Sequence, residues 1–155
     1  MQNRSEKNKV YKAKTKPFPG TRYADIGYKA HGLYNKIKRK SKRRPYIRSA
    51  YFTKSKVFLE LFWHHLQDKH NLNDKTRRLK YLPCAFELIE NSKIDPETRE
   101  NPDKHSELLH RFTGIAPNKA IFFVQIKESK KSGKKWLMSV FPEERTKKDL
   151  PPNCA

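Results

Sequence analysis

Residues 108–141 alternate between apolar and polar side chains in three successive runs, and this alternation constrains the fold more than any other feature of the chain. A period of two residues is typical of β-strands with one buried face. Gly133, in the short link between the last two runs, can adopt a positive φ and predicts a hairpin turn. Pro142 cannot donate to a strand ladder and is expected to end the sheet. The predicted strands are 108–115, 120–128 and 135–141.

The alternation also assigns each side chain to a face of the sheet. Two purely apolar sets are expected to pack on helices, namely Phe122, Val124 and Ile126, and Trp136, Met138 and Val140. The opposite face, called the open face below, is expected to present Arg111, Thr113, Gln125, Lys127 and Ser139. Cations and hydroxyl donors on one surface suit a phosphate group. A solvated sheet face without a function is the alternative.

Two helices are predicted before the strands, over residues 53–70 and 73–93, because apolar side chains recur there at intervals of three and four residues. Pro83 lies inside the second pattern and lacks a backbone N–H, so it predicts a kink or a break. The polar residues 94–107 are rich in Pro and Asn and predict a loop. The predicted fold class is therefore α+β, with two N-terminal helices packed on one face of a small antiparallel sheet.

Charge divides the chain into a strongly basic first third and a nearly balanced remainder. Residues 1–56 contain 18 Lys and Arg against 2 Asp and Glu, whereas residues 57–155 contain 18 against 14. Residues 1–45 show no clear helical or strand period and are predicted to form a basic, largely disordered arm that the fold does not require. A folded domain is then expected over residues 46–144, followed by a flexible tail over 145–155.

The basic segment favours a polyanionic partner, and nucleic acid is the commonest one in a cell. Residues 36–44 contain seven cations, including Arg43 and Arg44, and the surrounding tyrosines offer rings on which bases can stack. Residues 1–50 show no clean amphipathic helix with lysine on one face, so no membrane partner is expected.

Simpler features disfavour several classes of protein. Cys84 and Cys154 have no paired spacing, which argues against a zinc ribbon and a disulfide scaffold. The six histidines lack the spacing of a tetrahedral site, so no metal is expected. The sequence also has no Gly-rich phosphate loop, and no other cofactor is expected. Without a long apolar run or a signal-peptide core, the sequence indicates a cytoplasmic protein.

Residues 46–144 contain four segments with a familiar pattern, RRLKYLPCAFELIENSKIDPE, ELLHRFTGI, KAIFFVQIKE and KKWLMSVFPEE. They resemble the phage-type barnase–EndoU–colicin–RelE-like nuclease family, whose members are small antiparallel-sheet RNases preceded by helices. In that family the last strand ends in Thr or Ser shortly before an aromatic residue and often a proline. Ser139 matches that ending, with Ser in place of the frequent Thr, and Arg77 or Arg78 would be the family's helix arginine.

The resemblance implies a metal-independent endoribonuclease, for example a toxin with a neutralising protein partner, or a mobile-element protein. In such enzymes the ribose 2′-OH attacks the adjacent phosphate, so RNA is expected as substrate in preference to DNA. The reaction requires a base, an acid and cations around the phosphate. The candidate catalytic residues are Arg111, His110, His65, Arg78 and Ser139. The candidate substrate-binding residues are Arg77, Lys80, Thr113, Lys127, Lys135, Arg43 and Arg44.

The identity of the proton-transfer histidine stays open at this point, as does the function. His110 and His65 each fall in an apolar pattern and are expected to be buried, and His64 is expected to be exposed. For His65 the alternative is a helix edge that borders the sheet and presents the ring to a cleft. Two other functions fit the same residues. One is a non-catalytic module that binds RNA or DNA, and the other is an accessory protein docked to the ribosome or to another partner.

Overall fold

A computed structural model describes residues 10–68 and 71–143 of the chain. Those residues form an α+β fold, which confirms the predicted class. In chain order the elements are β1 (Tyr11–Lys12), α1 (Tyr23–Lys40), β2 (Tyr46–Ser49), β3 (Ser55–Phe58), α2 (Glu60–Gln67), α3 (Leu72–Lys80), α4 (Leu82–Asn91), β4 (Glu97–Asn101), β5 (Lys104–Ile115), β6 (Ile121–Ser129) and β7 (Lys135–Pro142).

The strands form one mixed sheet, and the predicted small antiparallel sheet is only its centre. β5, β6 and β7 pair antiparallel, as expected. β3 pairs parallel with the start of β7, and β2 extends the sheet beyond β3. On the other side, β1 pairs parallel with one end of β5, and β4 pairs antiparallel with the other end. Across residues 10–68 and 71–143 the sheet therefore has seven strands and two parallel pairings.

A single hydrophobic core fills the space between the helices and the inner face of the sheet, the face opposite the open one. Phe122, Leu82 and Ile26 are among its fully buried side chains. Burying each such side chain contributes about 1.5–3 kcal/mol. The helices are not all N-terminal, since α1 precedes β2 and the other three lie between β3 and β4. No helix within residues 10–68 and 71–143 is long and apolar enough to cross a membrane.

The prediction of a disordered arm over residues 1–45 is wrong for residues 10–45, which contain β1 and α1. Ile26 and Ala30 on α1 and Ala13 after β1 are buried in the core, so deletion of residues 1–45 would remove part of it. The stripe of α1 that meets the core has helical spacing and consists of Tyr23, Ile26, Ala30, Leu33, Tyr34 and Ile37. Tertiary packing along this stripe outweighs the low helical propensity of its two glycines. Residues 1–9 and the predicted tail over 145–155 lie outside the described residues.

The single helix predicted over residues 53–70 is instead a turn, a strand and a shorter helix. Thr53 and Lys54 adopt positive φ values of 55° and 65° in the turn between β2 and β3. β3 then pairs with β2 on one side and β7 on the other, and α2 begins only at Glu60. The hydrogen bonds of these two ladders outweigh the helical preference of the segment.

Pro83 marks a real break in the second predicted helix, which confirms that expectation. α3 ends at Lys80 and α4 begins at Leu82, with the proline in the first turn. At that position its missing N–H leaves no hydrogen bond unmade. The loop predicted over residues 94–107 is wrong in part, because β4 and the start of β5 form a hairpin there.

A β-bulge in β7 changes which of its side chains reach the core. Gln125 lies opposite Ser139, but the next residue on β6, Ile126, lies opposite Leu137. Met138 is therefore the extra residue on β7, and Leu137 replaces Trp136 in the core. The predicted inward set on β6 is buried, as is Val140, whereas Trp136 and Met138 are only half-buried, so their assignment is wrong.

Candidate functional site: a cleft between two helices and the open sheet face

A cleft of about 260 Å³ lies where α2 and α3 meet β6 and β7. β3 pairs only with the first two residues of β7, and α2, which follows β3, packs beside β7. This connection places a helix at the border of the open face. The lining residues are Phe62, His65 and Leu66 from α2, Arg78 from α3, and Gln125, Met138, Ser139 and Phe141 from the sheet.

The guanidinium of Arg78 is held in the cleft by three contacts. Its Nη1 donates to Ser139 Oγ at 2.7 Å, and its Nε donates to Asp74 Oδ2 at 3.0 Å. The charged group also lies 5.5 Å from the centre of the Phe141 ring. A guanidinium has five N–H donors, so these contacts leave others free to bind an anion in the cleft.

Ser139 lies on the open face, as alternation predicts, immediately after the bulge in β7. Its hydroxyl accepts the hydrogen bond from Arg78, so its own proton remains available to a further acceptor. Gln125 lies directly opposite on β6 and adds an amide to the same wall. The cleft therefore combines a fixed cation with two neutral hydrogen-bonding side chains.

His65 is half-buried and lines the cleft from the α2 side. It is the only imidazole in this lining, and imidazole is the side chain that enzymes use most often for proton transfer. His64 is exposed, as expected, and does not line the cleft. The structure therefore places His65, Arg78 and Ser139, three of the five candidate catalytic residues, around one space.

The open face continues past the cleft into a second depression of about 380 Å³, which shares Gln125 and Phe141 with the first. Arg111 lies in this depression, with its Nη2 2.6 Å from Glu97 Oε2. Its guanidinium also lies 5.1 Å from the centre of the Phe123 ring. Arg111 is therefore on the open face, as predicted, but in the neighbouring depression and paired with a carboxylate.

Lys127 and Thr113 also occupy the open face, outside the cleft lining. Lys127 Nζ lies 3.2 Å from Glu107 Oε2 and 5.1 Å from the centre of the Trp136 ring. Its charge is therefore already compensated. Thr113 is half-buried opposite Phe123 on β6.

His110 and Lys135 lie on the inner face of the sheet, away from the cleft. His110 is 6% exposed, which confirms the expected burial, and its ring nitrogens contact Thr98 and Glu128. Lys135 Nζ lies 3.3 Å from Glu128 Oε2. These two residues belong to a buried polar network that shares no side chain with the cleft lining.

The four remaining candidates lie elsewhere on the surface. Arg77 is exposed on α3, and Lys80 Nζ donates to the backbone oxygen of Gly20 at 3.1 Å. Arg43 is exposed after α1, whereas Arg44 pairs with Glu60. None of the four lines the cleft.

Two carboxylates that form ion pairs with Arg78 and Arg111 were not among the predicted site residues. Asp74 precedes Arg78 by four residues on α3, a spacing that favours a helical ion pair and is visible in the sequence. Glu97, the partner of Arg111, falls in the segment predicted as a loop, so its register with β5 had no local signal.

Comparisons with models of protein families, with curated proteins and with solved structures give no match. No group of three or more His, Cys, Asp or Glu side chains that could hold a metal ion occurs in residues 10–68 and 71–143. The function is therefore inferred from the geometry and charge of the cleft.

Proposed function

We propose that the protein is a metal-independent endoribonuclease that cleaves RNA by attack of the ribose 2′-OH on the adjacent phosphate. The observation that carries the proposal is the 2.7 Å hydrogen bond between Arg78 and Ser139 in a cleft that His65 also lines. A fixed cation, a hydroxyl and a proton-transfer group then surround one space. The formal charge of +20 favours an anionic substrate.

In this proposal Arg78 binds the phosphate that is attacked. Its contacts with Asp74 and Ser139 fix the guanidinium before substrate arrives. Donors that are already oriented stabilise the charge that develops on the phosphate oxygens without further reorganisation. Ser139 donates its free proton to one of the same oxygens.

His65 acts as the general base and takes the proton of the 2′-OH. A bond forms between the 2′-oxygen and phosphorus, and the bond from phosphorus to the 5′-oxygen breaks. The leaving 5′-oxygen takes up a proton from the imidazolium or from water. The products are a 2′,3′-cyclic phosphate and a 5′-hydroxyl end.

The remaining walls of the cleft suit the neighbouring parts of an RNA strand. Phe141 provides apolar surface against which a base or a ribose can pack. Arg111, in the adjoining depression, can meet the next phosphate by exchanging its contact with Glu97. Both members of that pair are well exposed, so opening it costs little.

The test is purified protein on mixed-sequence RNA and on DNA of matching sequence, each with and without EDTA. RNA is expected to be cut equally in both conditions and to carry 2′,3′-cyclic phosphate ends, while DNA stays intact because it lacks the attacking hydroxyl. His65→Ala and Arg78→Ala are each expected to slow cleavage by about a hundredfold or more. His64→Ala, one position away and exposed, is the matched control and should cut normally. Cleavage that requires a metal, or that consumes both substrates, contradicts the mechanism.

A non-catalytic module that binds RNA or DNA is the second candidate. The observation that favours it is that the cleft lining contains a single histidine. If that histidine is the general base, no second imidazole is present to act as the general acid. RNA that is bound but not cut at any protein concentration would select this alternative. If expression of the protein is toxic and His65→Ala relieves the toxicity, the result would support the nuclease proposal and would indicate that the protein acts as a toxin.

A further inference from the structure

A second groove, of about 740 Å³, is formed by the end of α1, by β2 with the turn that follows it, and by the end of α4. It shares no lining residue with the cleft. β2 is the edge strand of the sheet on the far side of β7, whereas the cleft opens over β6 and β7. The two concave surfaces are therefore separate.

The groove carries an excess of positive charge from four side chains on different elements, Lys40, Arg48, Lys54 and Lys93, against one carboxylate, Glu90. All four cations are exposed. None forms a salt bridge with a carboxylate among the residues that the structure describes. Concentrated, uncompensated charge on a concave surface attracts and retains an anion.

The fold gives the groove a defined shape. Arg48 Nη1 donates to the backbone oxygen of Lys54 at 2.9 Å, which ties β2 to the turn. α1 is anchored in the core through Ile26 and Ala30, so the basic residues at its end sit on a fixed support.

Tyr46 is the aromatic ring of the groove, and cations already accompany it. Arg48 lies 5.4 Å and Lys56 Nζ lies 4.7 Å from the ring centre. The ring is also half-buried, so it is a poor platform for an unstacked base. Recognition of single strands depends on base stacking, whereas duplex RNA presents its phosphates and keeps its bases paired.

We infer that this groove is a docking site for the phosphate backbone of double-stranded RNA, separate from the cleft. The inference rests on the proposed function only in taking RNA as the polyanion. A structured RNA would bind through a duplex in the groove and present a single-stranded segment to the cleft.

The test compares two double variants that each remove two positive charges. Lys40→Ala/Lys93→Ala alters the groove, and Lys131→Ala/Lys134→Ala alters the exposed turn between β6 and β7. Binding is measured by fluorescence anisotropy over a range of salt concentrations. The probes are a duplex of about 16 base pairs, the span bound by common duplex-binding domains, and a single strand of the same length. Circular dichroism and thermal melting check that both variants fold.

The groove variant is expected to weaken duplex binding about tenfold or more, and the turn variant no more than about twofold. The salt dependence of the groove variant should be shallower by about one unit of slope for each phosphate that it no longer neutralises. Its cleavage of a dinucleotide should be unchanged, because the cleft is intact.

Equal losses in the two double variants would overturn the inference, since they would reflect net charge alone. The inference would also be overturned if the groove variant lost more affinity for the single strand than for the duplex. The inference would also be overturned if the groove variant bound RNA normally but no longer co-sedimented with vesicles of phosphatidylglycerol and phosphatidylcholine. That result would identify the groove as a membrane-binding surface. If the wild type cuts no RNA but the groove variant alone loses duplex binding, the nuclease proposal fails and this inference stands.

Discussion

His110 Nε2 lies 2.7 Å from Glu128 Oε1, on the sheet face opposite the cleft. The other ring nitrogen, Nδ1, shares a hydrogen bond of 2.8 Å with Thr98 Oγ1, and Lys135 pairs with the second oxygen of Glu128. The network joins β4, β5, β6 and β7 through polar groups that are mostly withdrawn from water. Its effect is to fix the pairing of these strands.

Replacement of His110 is expected to reduce stability and to leave RNA cleavage unchanged. His110→Ala removes a buried ring and leaves Thr98 and Glu128 without this hydrogen-bond partner, which typically costs about 1–3 kcal/mol. Urea denaturation measures the loss, and the cleavage assay is run on the folded fraction. His65→Ala is expected to show the opposite pattern, with near-normal stability and impaired cleavage. A stable His110→Ala protein without activity would move the catalytic centre to the inner face.

The geometry of Arg78 predicts that lysine cannot replace it. A lysine ammonium has no planar fork with which to hold Asp74 and Ser139 at once, so Arg78→Lys should slow cleavage nearly as much as Arg78→Ala, by about a hundredfold. Ser139→Ala should cost less, and Ser139→Thr should retain activity because it keeps the hydroxyl. Arg77→Lys, at the exposed neighbouring position, is the control. Full activity of Arg78→Lys would mean that only charge is needed.

Glu87 on α4 holds the segment after β1 against the core. Its carboxylate accepts hydrogen bonds from the backbone N–H groups of Lys14 and Thr15 and from the hydroxyls of Tyr11 and Thr15. Burial alone would raise the pKa of Glu87, but these hydrogen bonds outweigh it and lower the pKa. Burial, together with the bond to Glu87, raises the pKa of Tyr11 to about 12.

The lowered pKa predicts a pH-dependent loss of stability in Glu87→Gln. A carboxyl group whose pKa is lower in the folded state contributes fully above its unfolded pKa of about 4.3, and the contribution is lost as the pH falls through the folded value. At pH 7 the variant should be less stable by about 1–3 kcal/mol. The difference should shrink below about pH 4. Urea melts across this range measure it, with the exposed Glu90→Gln on the same helix as control. A difference that is constant with pH would contradict the charged hydrogen bonds.

Gly114 on β5 faces the ring of Phe122 on β6 at close range. A Cβ added to Gly114 would overlap three atoms of that ring. Phe122 is fully buried, so Gly114→Ala should cost about 1–3 kcal/mol. Gly32→Ala is the matched control, because its Cβ would meet nothing within 4 Å and α1 should gain about 0.5–1 kcal/mol. Thermal melting of both variants checks the opposite signs.

The central strands and the break at Pro83 could be predicted because each depends on a local pattern. β4 could not, because its sequence ETREN has no apolar alternation and it is a strand only through pairing with β5. α1 carries an apolar stripe at helical spacing, but its glycines and basic residues obscured the signal.

Only part of the candidate site was accessible to sequence reasoning. Alternation placed Ser139 on the open face, and the helix pattern placed Arg78 on a helix. Their contact joins residues 61 positions apart and depends on how α3 docks beside β7. No local pattern determines that docking.

The bulge in β7 gives a direct test of the strand register beside Ser139. Leu137 is fully buried, whereas Trp136 is half-buried under Lys127, 5.1 Å from its ring centre. Leu137→Ala should therefore cost about 2–5 kcal/mol, and Trp136→Ala only about 1 kcal/mol, despite the larger side chain removed. Urea denaturation measures both losses of stability. The slope of the unfolding free energy against urea concentration should be the same in the two variants as in the wild type. The reverse order would mean that strict alternation continues along β7.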